Sequence, residues 1–592
     1  MGAPTRNKHK APGERAMALG LAALVAVVVV FVLSGNAGMA IDRGIGWKFE
    51  VSPFQLVNGL IKGSASWTGV SSTAAIGLVV IVGALLLLAV KVAGKLGTAH
   101  TWVDVAASHM ATARHMKSVL KDGAAATAER LGVTEGIGTY LGVLVAGGKH
   151  VYASFEDMML TIAGPRTGKT TSWVVPQIVE ARGSVITTSN KRDVVDATRG
   201  VRDEVGQVWI FDPQGICEQA PDWWWNPLTY VTDEVRAANL AGHFAAGSRE
   251  AGAKTDAFFD GSGKDLLAGF FLAAATGGKT MNDVYRWLTD PTESEPYDLL
   301  KDTVYTQTAN QVKGVLTSPE KQRGGVYGTA QQMASCLTNR QVAMWVNPQS
   351  QSDPRPHFDP AVFVASGTHT LYSLSKEGTG TAGPLVTALT VAVTEAAEQL
   401  AVKQGGRLKT PMLAMLDEAA NVCRWSQLPD LYSHYGSRGI VIHTVLQSYS
   451  QGVDVWGQSG MKKLMSASNA MIYGGGVRET EFLEMLSQLI GTYHYESRSR
   501  STSKGQSTVS RQTSESRILD VGELTALPKG RAILFTSGNR AAMLRTVPWM
   551  AGDHAEEIKS SIAQFDPTAA STIQEAERQL AEQQRNPDLV AA

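Results

Sequence analysis

An α/β fold, with a helical block set into it and two apolar segments ahead of it, follows from three features of this sequence. From about Ser154 onward, short apolar runs rich in β-branched and aromatic residues alternate with helical stretches. Strands buried on both faces and separated by covering helices read this way, as in a parallel sheet. The rhythm breaks off from about Thr229 to Ser335, where helical patterns stand alone. Ahead of it lie two apolar runs, Ala16–Ser34 and Thr73–Val92, whose one charge is Lys91. At 592 residues the chain is too long for one ordinary domain.

The elements follow in order. Residues 1–15 carry Arg6, Lys8, Lys10 and Arg15 against Glu14. Residues 16–34 and 73–92 are each long enough to cross a hydrocarbon core of about 30 Å at about 1.5 Å per residue. Lys91 lies near the end of the second run and Lys95 follows it. The positive-inside bias puts both ends in the cytoplasm and leaves 35–72, around Trp47 and Phe54, outside. Cleavage near Gly38-Met39-Ala40 is the alternative for the first run, but its apolar stretch exceeds the ~7–15 residues of a signal sequence. Residues 93–153, with Gly-rich turns at Gly136, Gly138, Gly147 and Gly148, read as a helical or mixed juxtamembrane linker.

The sheet domain is expected over 154–228 and 336–550. Its strands are Met158–Ala163, Ser184–Thr188, Gln207–Phe211, His369–Ser373, Met412–Leu416, Ile440–Leu446, Met471–Tyr473 and Ala532–Phe535. Between them, 229–335 reads as an all-α insertion with helices over Glu234–Ala246, Lys264–Ala275 and Met281–Leu288. Ser497–Ser516 is serine-rich and holds Arg498, Arg500, Lys504 and Arg511; it reads as a solvated surface loop rather than a phosphate-seeking one. The tail, 551–592, ends in the charged stretch Glu575–Arg585, read as a solvated helix.

Charge and cysteine usage narrow the function. The 54 basic and 54 acidic residues cancel, which excludes a surface that binds nucleic acid all over; any such contact is local, as in a pore formed by assembly. Cys217, Cys336 and Cys423 are scattered and odd in number, without metal-ligand spacing, and read as buried free thiols in a reducing compartment.

The strongest chemical signal is Ala163-Gly164-Pro165-Arg166-Thr167-Gly168-Lys169-Thr170-Thr171. A strand precedes it and a helix, Ser172–Ala181, follows, which is the setting of a phosphate-binding P-loop. Glycine lets backbone N–H groups turn toward phosphate oxygens, and the helix N-terminus adds partial positive charge. Lys169 would bridge the β- and γ-phosphates of ATP, and Thr170 would ligate Mg2+. Ala163 stands where the usual pattern has its first glycine, so the turn must accommodate a methyl group there.

A P-loop needs an acid at the end of a neighbouring strand. Pro411–Leu416 is apolar and ends in Asp417-Glu418. Asp417 would hold Mg2+ through water, and Glu418 would polarise the attacking water as general base. Gln447 ends the next strand, either as a capping residue or in contact with the γ-phosphate and its water. Arg438, just before that strand, is either a surface arginine or a donor of transition-state charge, in cis or from a neighbouring subunit, and Arg166, inside the loop, is either solvated or in contact with phosphate.

With these motifs the chain resembles the type IV coupling proteins, the TraG/TraD-like conjugative DNA-transfer ATPases, over roughly residues 16–550. Beyond the P-loop and the two apolar runs, the resemblance is carried by Val174-Val175-Pro176-Gln177, Gly183–Ile186, Lys191-Arg192-Asp193, Phe211-Asp212-Pro213 and Trp225-Asn226-Pro227-Leu228. Its most specific part is Leu416-Asp417-Glu418-Ala419, Ser437-Arg438-Gly439-Ile440 and Leu446–Gln451. It implies a RecA-like motor forming a homo-hexamer at the inner membrane. The motor would face the cytoplasm, with an inserted all-α domain receiving DNA, single-stranded by this resemblance, with its relaxase for a type IV secretion channel. Arg438 then resembles the family's intersubunit arginine. Ser189-Asn190 departs from the family, where Asp-Pro is frequent, and leaves the role of Lys191 open. Two other functions compete: a double-stranded DNA translocase of the FtsK kind, disfavoured by the short tail after Trp549, and a membrane receptor that uses ATP as an assembly switch.

Overall fold

The computed structural model describes residues 30, 32–35, 53–63, 67–78, 101–248, 256–378, 380–503 and 506–585. The two expected membrane spans lie mostly outside these residues. The chain divides into two units, Met1–His100 and Thr101–Ala592. In the first, Pro53–Ile61 and Gly69–Leu78 are helices.

The second unit is built on thirteen strands, numbered here in chain order: β1 Thr139–Leu144, β2 His150–Ala153, β3 Met159–Ile162, β4 Val185–Ser189, β5 Val208–Phe211, β6 Thr370–Leu374, β7 Met412–Leu416, β8 Ile440–Leu446, β9 Ala470–Tyr473, β10 Thr492–Ser503, β11 Gln506–Arg517, β12 Arg531–Thr536 and β13 Ala542–Arg545. Eleven of them form one sheet in the order β2-β1-β13-β12-β9-β3-β8-β7-β4-β6-β5. From β9 to β5 every pairing is parallel. Strands β4, β6, β7 and β8 are buried at every residue. Helices cover both of their faces, and this is why their sequences run apolar or small without alternating.

Every strand expected from the sequence is present, with one change of direction. The strand expected at Ala532–Phe535 pairs antiparallel with β9 and with β13. Hydrophobic pattern carries no strand polarity, and here β12 closes a tight hairpin with β13. Strand β8 also lies between β3 and β7, so the strand that ends in Asp417-Glu418 is not the immediate neighbour of the strand before the glycine loop.

Between β5 and β6 the described residues form helices, among them Glu234–Gly247, Ala257–Thr276, Met281–Thr289 and Glu320–Met333. They share one apolar cluster with the sheet-covering helix Gly383–Lys403, which is long and apolar enough to cross a membrane yet mostly buried here. Inside that helix Thr390 and Thr394 donate to Val386 O and Thr390 O at 2.8 and 2.9 Å, which satisfies their hydroxyls in an apolar setting.

Three other expectations change. The stretch read as a linker folds onto the sheet: β1 and β2 extend it, Trp173 Nε1 donates to Leu141 O at 2.9 Å, and buried Arg531 pairs with Asp104 at 2.6 Å. The serine-rich segment read as a loop is the antiparallel hairpin β10–β11, in which Arg498 stands opposite Arg511. Alternating Ser, Thr and Arg satisfy the period of a strand without the apolar face by which strands are recognised. The tail folds into two helices, Ala555–Phe565 and Ala569–Arg585. The second is not solvated all round: Ala569, Ile573, Ala576 and Leu580 join an apolar cluster with Val175, Val179 and Trp549.

Cys217, Cys336 and Cys423 are buried free thiols, as expected. Burial pushes each thiol up to about 12, which removes thiolate chemistry at neutral pH.

Candidate active site

The carboxyl ends of β3, β8 and β7 converge on one cleft, the edge where open parallel sheets bind ligands. The loop after β3 starts from a clamp. Ala163 N–H donates to Leu446 O at 3.0 Å, and Gly164 N–H donates to Gly475 O at 2.9 Å. A Cβ on Gly164 would lie 2.2 Å from Gly476 O, so this approach requires glycine. Thr167 Oγ1 closes the loop by donating to Gly164 O at 2.8 Å. Arg166 at φ 60° and Gly168 at φ 92° turn the chain back toward the helix. Ala163 is fully buried, and its methyl group sits 2.8 Å from where a Cβ on Gly474 would be. The turn accommodates alanine because the facing residue is glycine.

The helix after the loop begins at Thr170, two residues earlier than its expected start, with a π turn over Thr170–Val174. Pro176 has no N–H to offer that turn, and Val175 N–H donates to Thr170 O instead. Beneath the loop, buried His443 bridges Thr161 Oγ1 at 2.8 Å and Gln177 Oε1 at 2.7 Å. Desolvation lowers its pKa to about 3, which keeps the ring neutral, a structural link between β8, β3 and the helix.

Facing the loop is a compact polar cluster. Lys169 Nζ lies 3.0 Å from Glu418 Oε1, with both side chains nearly buried. Gln447 Nε2 donates to both Glu418 oxygens, at 2.9 and 2.8 Å, and Asn421 Nδ2 reaches Oε2 at 3.2 Å. Asn421 also donates to Glu377 at 2.8 Å, and Glu377 accepts from Asn190 as well. Glu418 itself has φ 53°, an unusual backbone conformation for a residue with a side chain and one that clusters at functional sites. This angle turns the Glu418 side chain out of the end of β7 and toward Lys169.

Asp417 is buried, and its Oδ1 has no hydrogen-bond partner in the fold. Desolvation and then the charge of Glu418 raise its pKa to about 7, against the pull of Lys169. An orphaned buried carboxylate oxygen beside Lys169 and Thr170 fits a hard cation held by oxygen ligands. No group of three or more His, Cys, Asp or Glu with metal-binding geometry occurs among the described residues. The donor set therefore suits a cation that takes its remaining ligands from water and phosphate, as Mg2+ does.

The cleft has a volume of about 640 Å3. Pro165, Arg166, Gly168, Lys169, Thr170, Thr171, Asp417, Glu418 and Gln447 line it together, whereas Gly164 and Thr167 shape the loop from behind. Arg438 is not brought there. It precedes the first residue of β8, donates to Gly406 O at 3.0 Å, and is separated from Gln447 by the seven residues of that strand, about 20 Å. The reading of Arg438 as a donor in cis does not fit this placement.

Sequence reasoning missed several parts of the site. The run Gly474-Gly475-Gly476 after β9 packs against the loop, and three glycines at a strand end were a readable signal. Asn190 and Lys191, after β4, line the cleft, as do Lys529 and Glu575, Arg578 and Gln579 of the last helix. Asn190 and Lys191 already stood in a quoted motif, with no role assigned; nothing local marks the other four, which arrive from distant parts of the chain. Two quoted motifs prove structural. Asp212 accepts from the N–H groups of Ile216, Cys217 and Gln219 at 2.6–3.2 Å, and Asn226 caps a short helix through Leu228 N at 3.1 Å.

Comparison with known proteins bears on the fold around this cleft. Residues 411–529 match a family model described as the TraM recognition site of TraD and TraG. No curated protein matches the chain. Among solved structures, the unbound monoclinic form of the bacterial conjugative coupling protein TrwB, as TrwBdeltaN70, is 17% identical with a TM-score of 0.50, covering 69% of this chain and 88% of that one. Its trigonal form with sulphate is 16% identical with a TM-score of 0.50, covering 72% and 92%. The plasmid coupling protein TrwB with ADP and Mg2+ is 17% identical with a TM-score of 0.48, covering 67% and 87%. The family match spans the strands that end in Asp417, Glu418 and Gln447, and the surrounding fold is similar to that of the coupling protein TrwB.

Proposed function

We propose that this protein is a membrane-anchored, RecA-like P-loop ATPase that couples a DNA–relaxase substrate to a type IV secretion channel and drives its transfer by ATP hydrolysis. The observation that carries this reading is the Lys169–Glu418–Gln447 cluster at the carboxyl ends of β3, β7 and β8. Backbone N–H groups of Gly168 to Thr171 cradle the phosphates, and Lys169 exchanges Glu418 for β- and γ-phosphate oxygens. Thr170 and Asp417 would hold Mg2+, which would neutralise charge on the phosphates. Glu418, released from Lys169 and steadied by Gln447 and Asn421, accepts a proton from the attacking water as general base.

The remaining parts of the reading rest on the resemblance to the type IV coupling proteins. They are a homo-hexamer at the inner membrane anchored by 16–34 and 73–92, an all-α domain over 229–335 that receives the substrate, and Arg438 acting across subunits. The segment named for TraM recognition in TraD and TraG includes both the acidic strand end and the β10–β11 hairpin here, and supports contact with a DNA-processing partner.

The test is ATP hydrolysis by the full-length protein with and without single- and double-stranded DNA. Lys169→Ala is expected to lose nucleotide binding, and Glu418→Gln to keep it while losing about 10²–10⁴-fold in turnover. DNA stimulation that disappears in both variants supports the motor, and preference for double strands would favour an FtsK-like translocase. Hydrolysis indifferent to DNA would favour the receptor that uses ATP as an assembly switch.

A further inference from the structure

The helix Ala569–Arg585 presents two faces to the body of the protein. Ile573, Ala576 and Leu580 join Val175 and Val179, on the helix that follows the glycine loop, in one apolar cluster. The adjoining face places Glu575, Arg578 and Gln579 in the same cleft as Lys169. Residues three and four apart on a helix are neighbours, so these three side chains form one polar strip.

Arg578 is held in that strip by a two-point ion pair. Its Nε donates to Glu575 Oε2 and its Nη2 to Oε1, both at 2.8 Å. The pair is open to solvent, with side chains 63% and 47% accessible. Packing therefore does not fix the guanidinium to this partner, and an exposed pair exchanges readily for a stronger anion. The planar fork that meets a carboxylate with two parallel N–H bonds meets phosphate oxygens in the same way. With the helix in place the cleft still measures about 640 Å3, within the range of small-molecule sites. The helix walls the cleft and leaves room for a ligand.

We propose that the C-terminal helix is part of the nucleotide site, with Arg578 leaving Glu575 to pair with phosphate oxygens of the bound nucleotide. This rests on the reading of the cleft as an ATP site. Glu575 is the nearer internal competitor for the guanidinium, with Glu582 Oε1 at 3.6 Å from Nη1, so the two residues of the close ion pair have opposite effects on affinity. Lys529 lines the same cleft and adds positive charge there.

The experiment is titration of the full-length protein with a fluorescent methylanthraniloyl ADP or ATP, alongside melting curves. Arg578→Ala is expected to weaken binding about tenfold, and Arg578→Lys to recover part of the loss. Glu575→Gln is expected to tighten binding severalfold, and this gain is expected to vanish when combined with Arg578→Ala. A purely structural helix would show falling melting temperatures and no opposition of sign. Unchanged affinity in Arg578→Ala overturns the proposal, and so does tighter binding, which would make the helix a lid that competes with nucleotide. Loss of binding in Lys169→Ala with none in Arg578→Ala sinks this proposal and leaves the ATP site standing. A wild-type protein that binds no nucleotide sinks both.

Discussion

Ala163 and Gly474 form a pair in which one methyl group is accommodated and a second is not. The Cβ of Ala163 lies 2.8 Å from the position a Gly474 Cβ would take, with Trp173 at 3.4 Å on the other side. Gly474→Ala is therefore expected to displace the glycine loop, lowering the melting temperature and nucleotide affinity together. Adding Ala163→Gly is expected to restore part of both, a rescue that two unrelated defects would not show. Two buried histidines set an acid limit at the same scale. Burial lowers His443 to about 3 and His243 to about 4, whereas in the unfolded chain both titrate near the ordinary histidine value of about 6.5. Between these limits the unfolded chain binds more protons, so their contribution to stability is whole above about pH 6.5 and is lost as pH falls toward the folded values. At pH 5 the expected cost is about 2 kcal/mol for each, read from denaturant midpoints between pH 7 and 5. His443→Gln should flatten part of that slope.

At the scale of elements, the hairpin β10–β11 stands apart from the rest. It forms its own two-stranded sheet, and its base is tied down by stacking of Tyr493 on His109 at 4.1 Å and by the Arg517–Glu484 pair at 2.6 Å. Replacing residues 497–512 with a short turn is expected to leave the melting temperature and basal ATP hydrolysis near wild type, because both anchors and the cleft remain. Partner- or DNA-dependent stimulation is the readout that should change if the hairpin serves recognition. The helix Gly383–Lys403 shows the opposite case. Its apolar composition would suit a bilayer, yet the sheet and the helical block cover it, so composition alone does not decide between lipid and protein as its solvent.

For the whole molecule, the position of Arg438 bears on assembly. It lies at the amino end of β8, about 20 Å from the carboxyl end where Gln447 meets Glu418, so within one chain it does not serve the cleft. If it acts across a subunit boundary, Lys169→Ala and Arg438→Ala should each be inactive alone. Mixed in one assembly, they should regain hydrolysis, because a Lys169→Ala subunit can still lend its arginine to a neighbour with an intact cleft. Absence of complementation in verified mixed assemblies would leave Arg438 as a surface residue bonded to Gly406.

The sequence by itself determined the parts whose information is local. The loop from Gly164 to Thr171 is legible because a tight phosphate cradle needs glycines and a lysine at fixed spacing. The eight expected strands are legible because burial on both faces demands continuous apolar runs. Asp417-Glu418 is legible because two acids after such a run must emerge at a polar site. The tertiary structure decided what depends on distant residues meeting. Strand polarity and order put β8 between β3 and β7, and so let Gln447 reach Glu418. The run Gly474–Gly476 became part of the loop only because β9 lies beside β3. The last helix became a wall of the cleft only because Ile573, Ala576 and Leu580 found an apolar seat beside Val175. A helix with one narrow apolar stripe and many charges reads as solvated until its partner surface is known, and that surface joins nearby Trp549, Ile558 and Ile562 to Val175, Val179 and Ala197, hundreds of residues away.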